Sequence, residues 1–128
     1  MSGSSLRTIL IVEDEPDTAE MFAEMMKLSG YRVLKSFGGS AAMHLLMQEK
    51  PDALVLDIMM PDVSGLEVLR FVRREPRLEA MPVIIISAKS LPSDIKDGMD
   101  AGASLYLTKP VSFTDFKQAI EQAISSQE

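Results

Sequence analysis

The chain is expected to form one α/β domain, a five-stranded parallel sheet of order 2-1-3-4-5 with helices on both faces. Three observations lead there. Short apolar runs alternate with longer amphipathic ones along the whole chain, the pattern of repeated βαβ units. The runs Ile9–Val12, Ala53–Leu56 and Val83–Ile86 are apolar at every position, as strands covered on both faces must be. Charged or hydroxyl residues stand at or directly after those runs, where open parallel sheets carry their chemistry.

The elements follow in order. A first strand is expected near 7–12, running into Glu13-Asp14-Glu15. Pro16 suits the first turn of a helix over 16–29, where its missing N–H costs nothing, and Gly30 suits the stop. Met21, Phe22, Met25 and Met26 form two i,i+4 pairs on that helix and are expected to pack in the core. Tyr31–Ser36 is mixed in character, so the second strand, 31–36, belongs at an edge. The helix over 39–49 carries His44, the only histidine. One histidine cannot build a metal site, and a mid-helix position keeps it out of any Ser-His-Asp arrangement at the sheet edge.

The third strand, 53–57, ends in Asp57 and opens the loop Ile58-Met59-Met60-Pro61-Asp62-Val63-Ser64-Gly65, followed by a helix over 64–75. The fourth, 82–87, runs into Ser87-Ala88-Lys89 and a helix over 92–101. The short fifth, 104–107, is the other edge and leads to Thr108-Lys109-Pro110. Ser112 is placed to cap the last helix, 112–125, whose Phe113, Phe116, Ala119, Ile120 and Ala123 recur at helical spacing. Right-handed crossovers then give a flavodoxin-like layout, with its switch point between the first and third strands. Glu13, Asp14 and Asp57 end those two strands.

A length of 128 residues fits one domain with a single packed core. A net charge of −6, with no run of Lys or Arg, argues against nucleic-acid binding by this domain. The absence of cysteine excludes disulfides, thiolate metal sites and thiol nucleophiles. With no h-region at the start and no long apolar stretch, neither secretion nor membrane insertion is expected, and cytoplasmic placement follows. Residues 1–5 are small and polar, a disordered tail or an appended remnant; 6–124 form the domain; 125–128 are a tail or the start of a linker.

Glu13, Asp14 and Asp57 would gather three negative charges in one crevice, against the single positive charge of Lys109. Such a cluster is tolerable where it binds a hard divalent cation, and carboxylates with a main-chain carbonyl and waters suit Mg²⁺.

These residues resemble the receiver domain of two-component response regulators, of the CheY-like superfamily. The matching pieces are Val12-Glu13-Asp14-Glu15, Leu56-Asp57 through Gly65, Ile86-Ser87-Ala88, Gly102-Ala103 and Tyr106-Leu107-Thr108-Lys109-Pro110. The resemblance implies that Asp57 accepts a phosphoryl group from a histidine kinase or histidine phosphotransfer protein. It implies Mg²⁺ held by Asp14, Asp57 and the Met59 carbonyl, with Glu13 acting through water. Lys109 and Ser87 would contact the phosphoryl oxygens, and Pro110 matches a proline that often follows a cis peptide. Ser87 and Tyr106 would switch the surface of the fourth helix, fifth strand and fifth helix. The domain would be a signalling switch, catalysing only its own phosphorylation and dephosphorylation, and a phosphorylation-dependent dimer is compatible with the family.

Two features depart from the DNA-binding members. Ala103-Ser104-Leu105-Tyr106 lacks the acidic pair common before the aromatic, and Val111 replaces a common Phe. Two other readings compete. A phosphate-independent binding module would have lost an acid or the lysine, and none is missing. An Asp-nucleophile phosphatase of the haloacid dehalogenase kind wants an acid two residues after the nucleophile, where Met59 stands, and a nucleophile ending the first strand rather than the third. A flavin site is disfavoured by the acidic loop after the first strand.

Overall fold

The computed structural model describes residues 6–127, so the expected 1–5 tail and the last residue lie outside it. Five strands and five helices alternate: β1 (Thr8–Val12), α1 (Pro16–Leu28), β2 (Arg32–Ser36), α2 (Gly39–Gln48), β3 (Ala53–Leu56), α3 (Gly65–Arg74), β4 (Val83–Ser87), α4 (Pro92–Asp100), β5 (Leu105–Thr108) and α5 (Phe113–Ser125). All strand pairs are parallel and the order is β2-β1-β3-β4-β5, as the sequence pattern requires. β3 stops at Leu56, one residue earlier than expected, and β5 runs on through Thr108. α5 continues through Ser125, the first residue of the expected tail.

Alternation along the strands divides the core between two faces. Leu10, Val12, Leu54, Leu56 and Ile85 pack with Ala42 and Leu46 of α2 and Val68, Leu69 and Val72 of α3. Ile9, Ile11, Val55, Ile84 and Ile86 pack with Phe22 and Met26 of α1 and Phe116 and Ile120 of α5. There the rings of Phe22 and Phe116 meet edge-on, their centroids 5.3 Å apart. Burying each such aliphatic side chain stabilises the fold by about 1.5–3 kcal/mol. One expectation is corrected. Met21 is exposed, because it lies one helical step off the buried stripe Ala19-Phe22-Ala23-Met26. Phe113 is exposed as well, since as the first residue of α5 it precedes the turn that meets the sheet.

The helix ends are fixed by side chains. Pro16 opens α1, and the Glu15 carboxylate accepts from the Asp17 N–H. Gly30 follows its end at φ +96°, a conformation other residues resist. Ser64 and Ser112 cap α3 and α5. α2 has only Gly38 at its cap position, and its first N–H groups are served from elsewhere. The Asp62 carboxylate, in the β3–α3 loop, accepts from the N–H of Gly39 at 3.2 Å and of Ser40 at 3.0 Å. Arg73 of α3 donates to the carbonyls of Gly102, Glu79 and Met81, tying α3 to the start of β4 and to the α4–β5 turn.

Candidate functional site

The site is built at the carboxyl ends of the central strands. The ladder continues one residue past β1, because the Glu13 N–H donates to the Ser36 carbonyl at 3.0 Å. This holds Glu13 inside, only 2 % exposed, while Asp14 turns outward to a half-buried position. Beside it the Asp57 N–H donates to the Val12 carbonyl at 3.1 Å, which sets a buried Asp57 directly after β3. The two acids thus flank the switch point between β1 and β3. Carboxylate oxygens of Glu13, Asp14 and Asp57 all lie within 4.8 Å of one another.

Lys109 reaches this cluster from the far side. Its N–H donates to the Ser87 carbonyl at 2.9 Å, and its peptide bond to Pro110 is cis. Its Nζ lies 2.8 Å from Glu13 Oε1 and 2.9 Å from Asp57 Oδ2. Two like charges about 5 Å apart repel by roughly 3–4 kcal/mol at an effective dielectric of ~20, so a bridging cation relieves a substantial cost. Burial pushes the Glu13 carboxyl above its ordinary range, an effect only partly offset by the bonds from Lys109 and from the Glu15 N–H. Burial pulls Lys109 down, but its bonds to Glu13 and Asp57 outweigh that and leave it raised.

The second oxygen of Asp57 accepts from the Met59 N–H at 3.1 Å. The loop then folds back, with the Gly65 N–H donating to the Ile58 carbonyl at 3.0 Å. Ser87 ends β4 fully buried, and its Oγ accepts from the Lys89 N–H at 3.2 Å. Tyr106 of β5 leans over Gly98 of α4, and its hydroxyl donates to the Lys89 carbonyl at 2.7 Å. Partial burial pushes the Tyr106 phenol up. The two switch candidates are therefore tied to opposite ends of one residue, Lys89.

The sequence-derived acids and Lys109 come together as expected. Ser87 ends the strand next to β3 and is bonded to the main chain; Met59 is exposed and meets Asp57 through its amide. The sequence signalled neither the direct Glu13–Lys109 bond nor the role of the Lys89 peptide, because main-chain groups leave no mark on residue type. The donor set of three clustered carboxylates is all hard oxygen, which fits Mg²⁺.

Comparison with known proteins agrees with this architecture. The family model for the response regulator receiver domain matches residues 9–121. The chain is 38 % identical over 108 residues to the "Probable transcriptional regulatory protein TcrX" of Mycobacterium tuberculosis, covering 84 % of this chain and 45 % of that protein, so it spans under half of that relative's length. It is 30 % identical over 115 residues to the polar-differentiation response regulator DivK of Brucella anthropi, covering 90 % and 94 % of the two chains. Among solved structures, the signal receiver domain of a signal transduction histidine kinase from Syntrophus aciditrophicus superposes with a TM-score of 0.87 at 29 % identity, covering 94 % of this chain and 91 % of that one. The receiver domain of the Francisella response regulator 1452 gives 0.88 at 25 % identity, covering 95 % and 99 %. A match over nearly the whole sheet and its helices, rather than over a local motif, settles the family: this chain belongs to the response regulator receiver domains of two-component signalling.

Proposed function

We propose that Asp57 is the phosphoacceptor of this receiver, loaded by a histidine kinase or histidine phosphotransfer protein. The observation that carries this reading is the Asp57 carboxylate itself: buried, bonded to Lys109, and grouped with Glu13 and Asp14. A carboxylate needs no general base, so an Asp57 oxygen attacks phosphorus directly. The bond from phosphorus to the donor nitrogen breaks, and its electron pair leaves with the imidazole. Lys109 turns from the carboxylates to the phosphoryl oxygens, and Ser87 donates its hydroxyl to the same group. Asp14, Asp57 and the Met59 carbonyl would hold Mg²⁺, with Glu13 acting through water, and the ion would supply positive charge against the phosphoryl oxygens. Water hydrolyses the acyl phosphate in the same site, so the domain catalyses its own phosphorylation and dephosphorylation.

Ser87 can leave the Lys89 N–H only by surrendering one of the two bonds that fix that residue. The other is made by Tyr106, which faces a groove of about 530 Å³ between α4 and α5, lined by Ile95, Leu107, Pro110, Val111 and Gln118 among others. A new charge at Asp57 therefore biases the α4–β5–α5 surface, which we assign to the downstream partner or to a phosphorylation-dependent dimer. The receiver would span 6–124, act in the cytoplasm, and contact neither nucleic acid nor membrane. Among the described residues no helix is long and apolar enough to cross a membrane.

The test is intact mass after incubation with Mg²⁺ and acetyl phosphate. One base-labile phosphoryl adduct is expected, absent in Asp57→Asn. No adduct under conditions that modify another receiver would favour the phosphate-independent module. Steady phosphate release from many phosphomonoesters would favour the phosphatase.

A further inference from the structure

α2 has no Asp, Glu, Lys or Arg of its own, yet charges from the two flanks of α3 hold both its ends. At the amino end the Asp62 carboxylate accepts from the Gly39 and Ser40 N–H groups. At the carboxyl end Arg77, just past α3, donates to the Leu46 carbonyl. Each charge suits the helix dipole at the end it meets. The Asp62 bond also does something that a local cap would not. Gly38, at the cap position of α2, has φ −167°, extended backbone that any residue adopts, so a Ser or Asp there could cap the helix directly. Capping from the β3–α3 loop instead cross-links two segments. They touch closely: a Cβ on Gly39 would stand 2.5 Å from the Val63 carbonyl oxygen.

Both cross-linked segments lead to the carboxylate cluster. On one side the loop runs back from Asp62 to Met59, whose N–H donates to Asp57 Oδ1. On the other, Ser36 Oγ donates to the Gly38 carbonyl at 3.1 Å, and the Ser36 carbonyl accepts from the Glu13 N–H. The connections thus run from Glu13 through Ser36, Gly38 and the start of α2 to Asp62, Met59 and Asp57, a closed circuit behind the site. We propose that Asp62 is a positioning residue of the metal site. Its carboxylate ties the β3–α3 loop to α2 and so fixes the Met59 main chain relative to Asp14 and Asp57. This rests on the reading that those two acids and the Met59 carbonyl take Mg²⁺. That ion demands near-octahedral ligands at about 2.0–2.1 Å, so a loop free to drift by a few tenths of an ångström binds it less well.

Calorimetric titration with Mg²⁺, well below each protein's unfolding temperature, tests this beside urea unfolding of the same proteins. Asp62→Ala is expected to weaken Mg²⁺ binding about tenfold, the low end of what loss of an outer support costs a metal site, and to lower the urea midpoint. Gly38→Asp in the same chain returns the lost charge and caps α2 locally. It has room to do so, because the Asp62 carboxylate that would stand 3.2 Å from a Cβ on Gly38 is gone. The double variant is expected to regain the midpoint and to keep the weakened Mg²⁺ affinity. Asp52→Ala controls for charge. It too removes a carboxylate that accepts a main-chain N–H, that of Thr8, but at the opposite end of the strands, and it is expected to leave the affinity unchanged. Three results would each overturn the proposal: wild-type affinity in Asp62→Ala, an affinity that recovers together with the midpoint in the double variant, or an equal loss in Asp52→Ala. A wild type that binds no Mg²⁺ would instead remove the metal site itself, and the proposal with it.

Discussion

The main chain of Asp57 and the Cα of Gly65 approach so closely that a Cβ on Gly65 would stand 2.1 Å from the Asp57 carbonyl oxygen. No side chain can occupy that space, and the atom in the way is backbone, which cannot swing aside. Gly65→Ala is expected to lose about 2–4 kcal/mol of stability and to displace Asp57 from Lys109. Urea unfolding should show a lower midpoint at unchanged slope, and adduct formation at Asp57 should slow. A variant with wild-type midpoint and phosphorylation would contradict this account of the loop.

Lys109→Ala removes the cation that, among the described residues, touches both Glu13 and Asp57. The Lys109 side chain is 26 % exposed, so the loss is smaller than for a fully buried pair, about 1–3 kcal/mol in EDTA. Mg²⁺ binding should survive, and the rise in Tm on adding Mg²⁺ should exceed that of the wild type, since a second source of positive charge now matters more. An equal rise in both proteins would show that the two cations do not compensate for one another. Phosphorylation of the variant should no longer move the environment of Tyr106; an unchanged shift would exclude the role assigned to Lys109.

Asp62 gives one contribution to the pH dependence. Hydrogen bonds, chiefly from the Ser40 N–H and with help from Val63 and Gly39, hold its carboxyl below the usual range. A depressed folded value means that the charged form stabilises the fold above the unfolded value of about 3.8, and that this contribution fades as pH falls through the folded value. Asp62→Asn should therefore be less stable than wild type at neutral pH, with the gap closing in acid. Parallel denaturation curves at pH 7 and in acid measure it, and a gap that is constant or widens would refute the capping role.

Ser87 and Tyr106 share Lys89, so their removal should not be additive. Ser87→Ala and Tyr106→Phe are each expected to cost about 0.5–1.5 kcal/mol. The double variant should differ from their sum by at least about 0.5 kcal/mol, because freeing the Lys89 N–H loosens the residue whose carbonyl Tyr106 holds. Additivity in a double-mutant cycle would mean that the two side chains are not coupled.

Most of the architecture could be read from residue type. Strands of unbroken apolar residues announced a sheet covered on both faces, and the mixed Tyr31–Ser36 announced an edge, because burial acts on side chains and leaves its trace in sequence. The acids and Lys109 were legible for the same reason: their positions relative to the strands fix where they stand. Met21 was misplaced because helical spacing alone does not say where the buried stripe is centred. The Asp62 cap and the Arg73 clasp were invisible, since each joins a side chain to main-chain carbonyls or amides far away in sequence.

The bond between Lys109 and Glu13 joins positions 96 apart in sequence. It cannot form until β1, β3, β4 and β5 are all in register, because each contributes a wall or a ligand to the same crevice. Closure of so long a loop belongs late in the folding of a parallel sheet. The site is therefore an indicator of the finished molecule: a nicked chain, or one that has lost its last strand, should forfeit it as a whole while still retaining helices and much of its compactness.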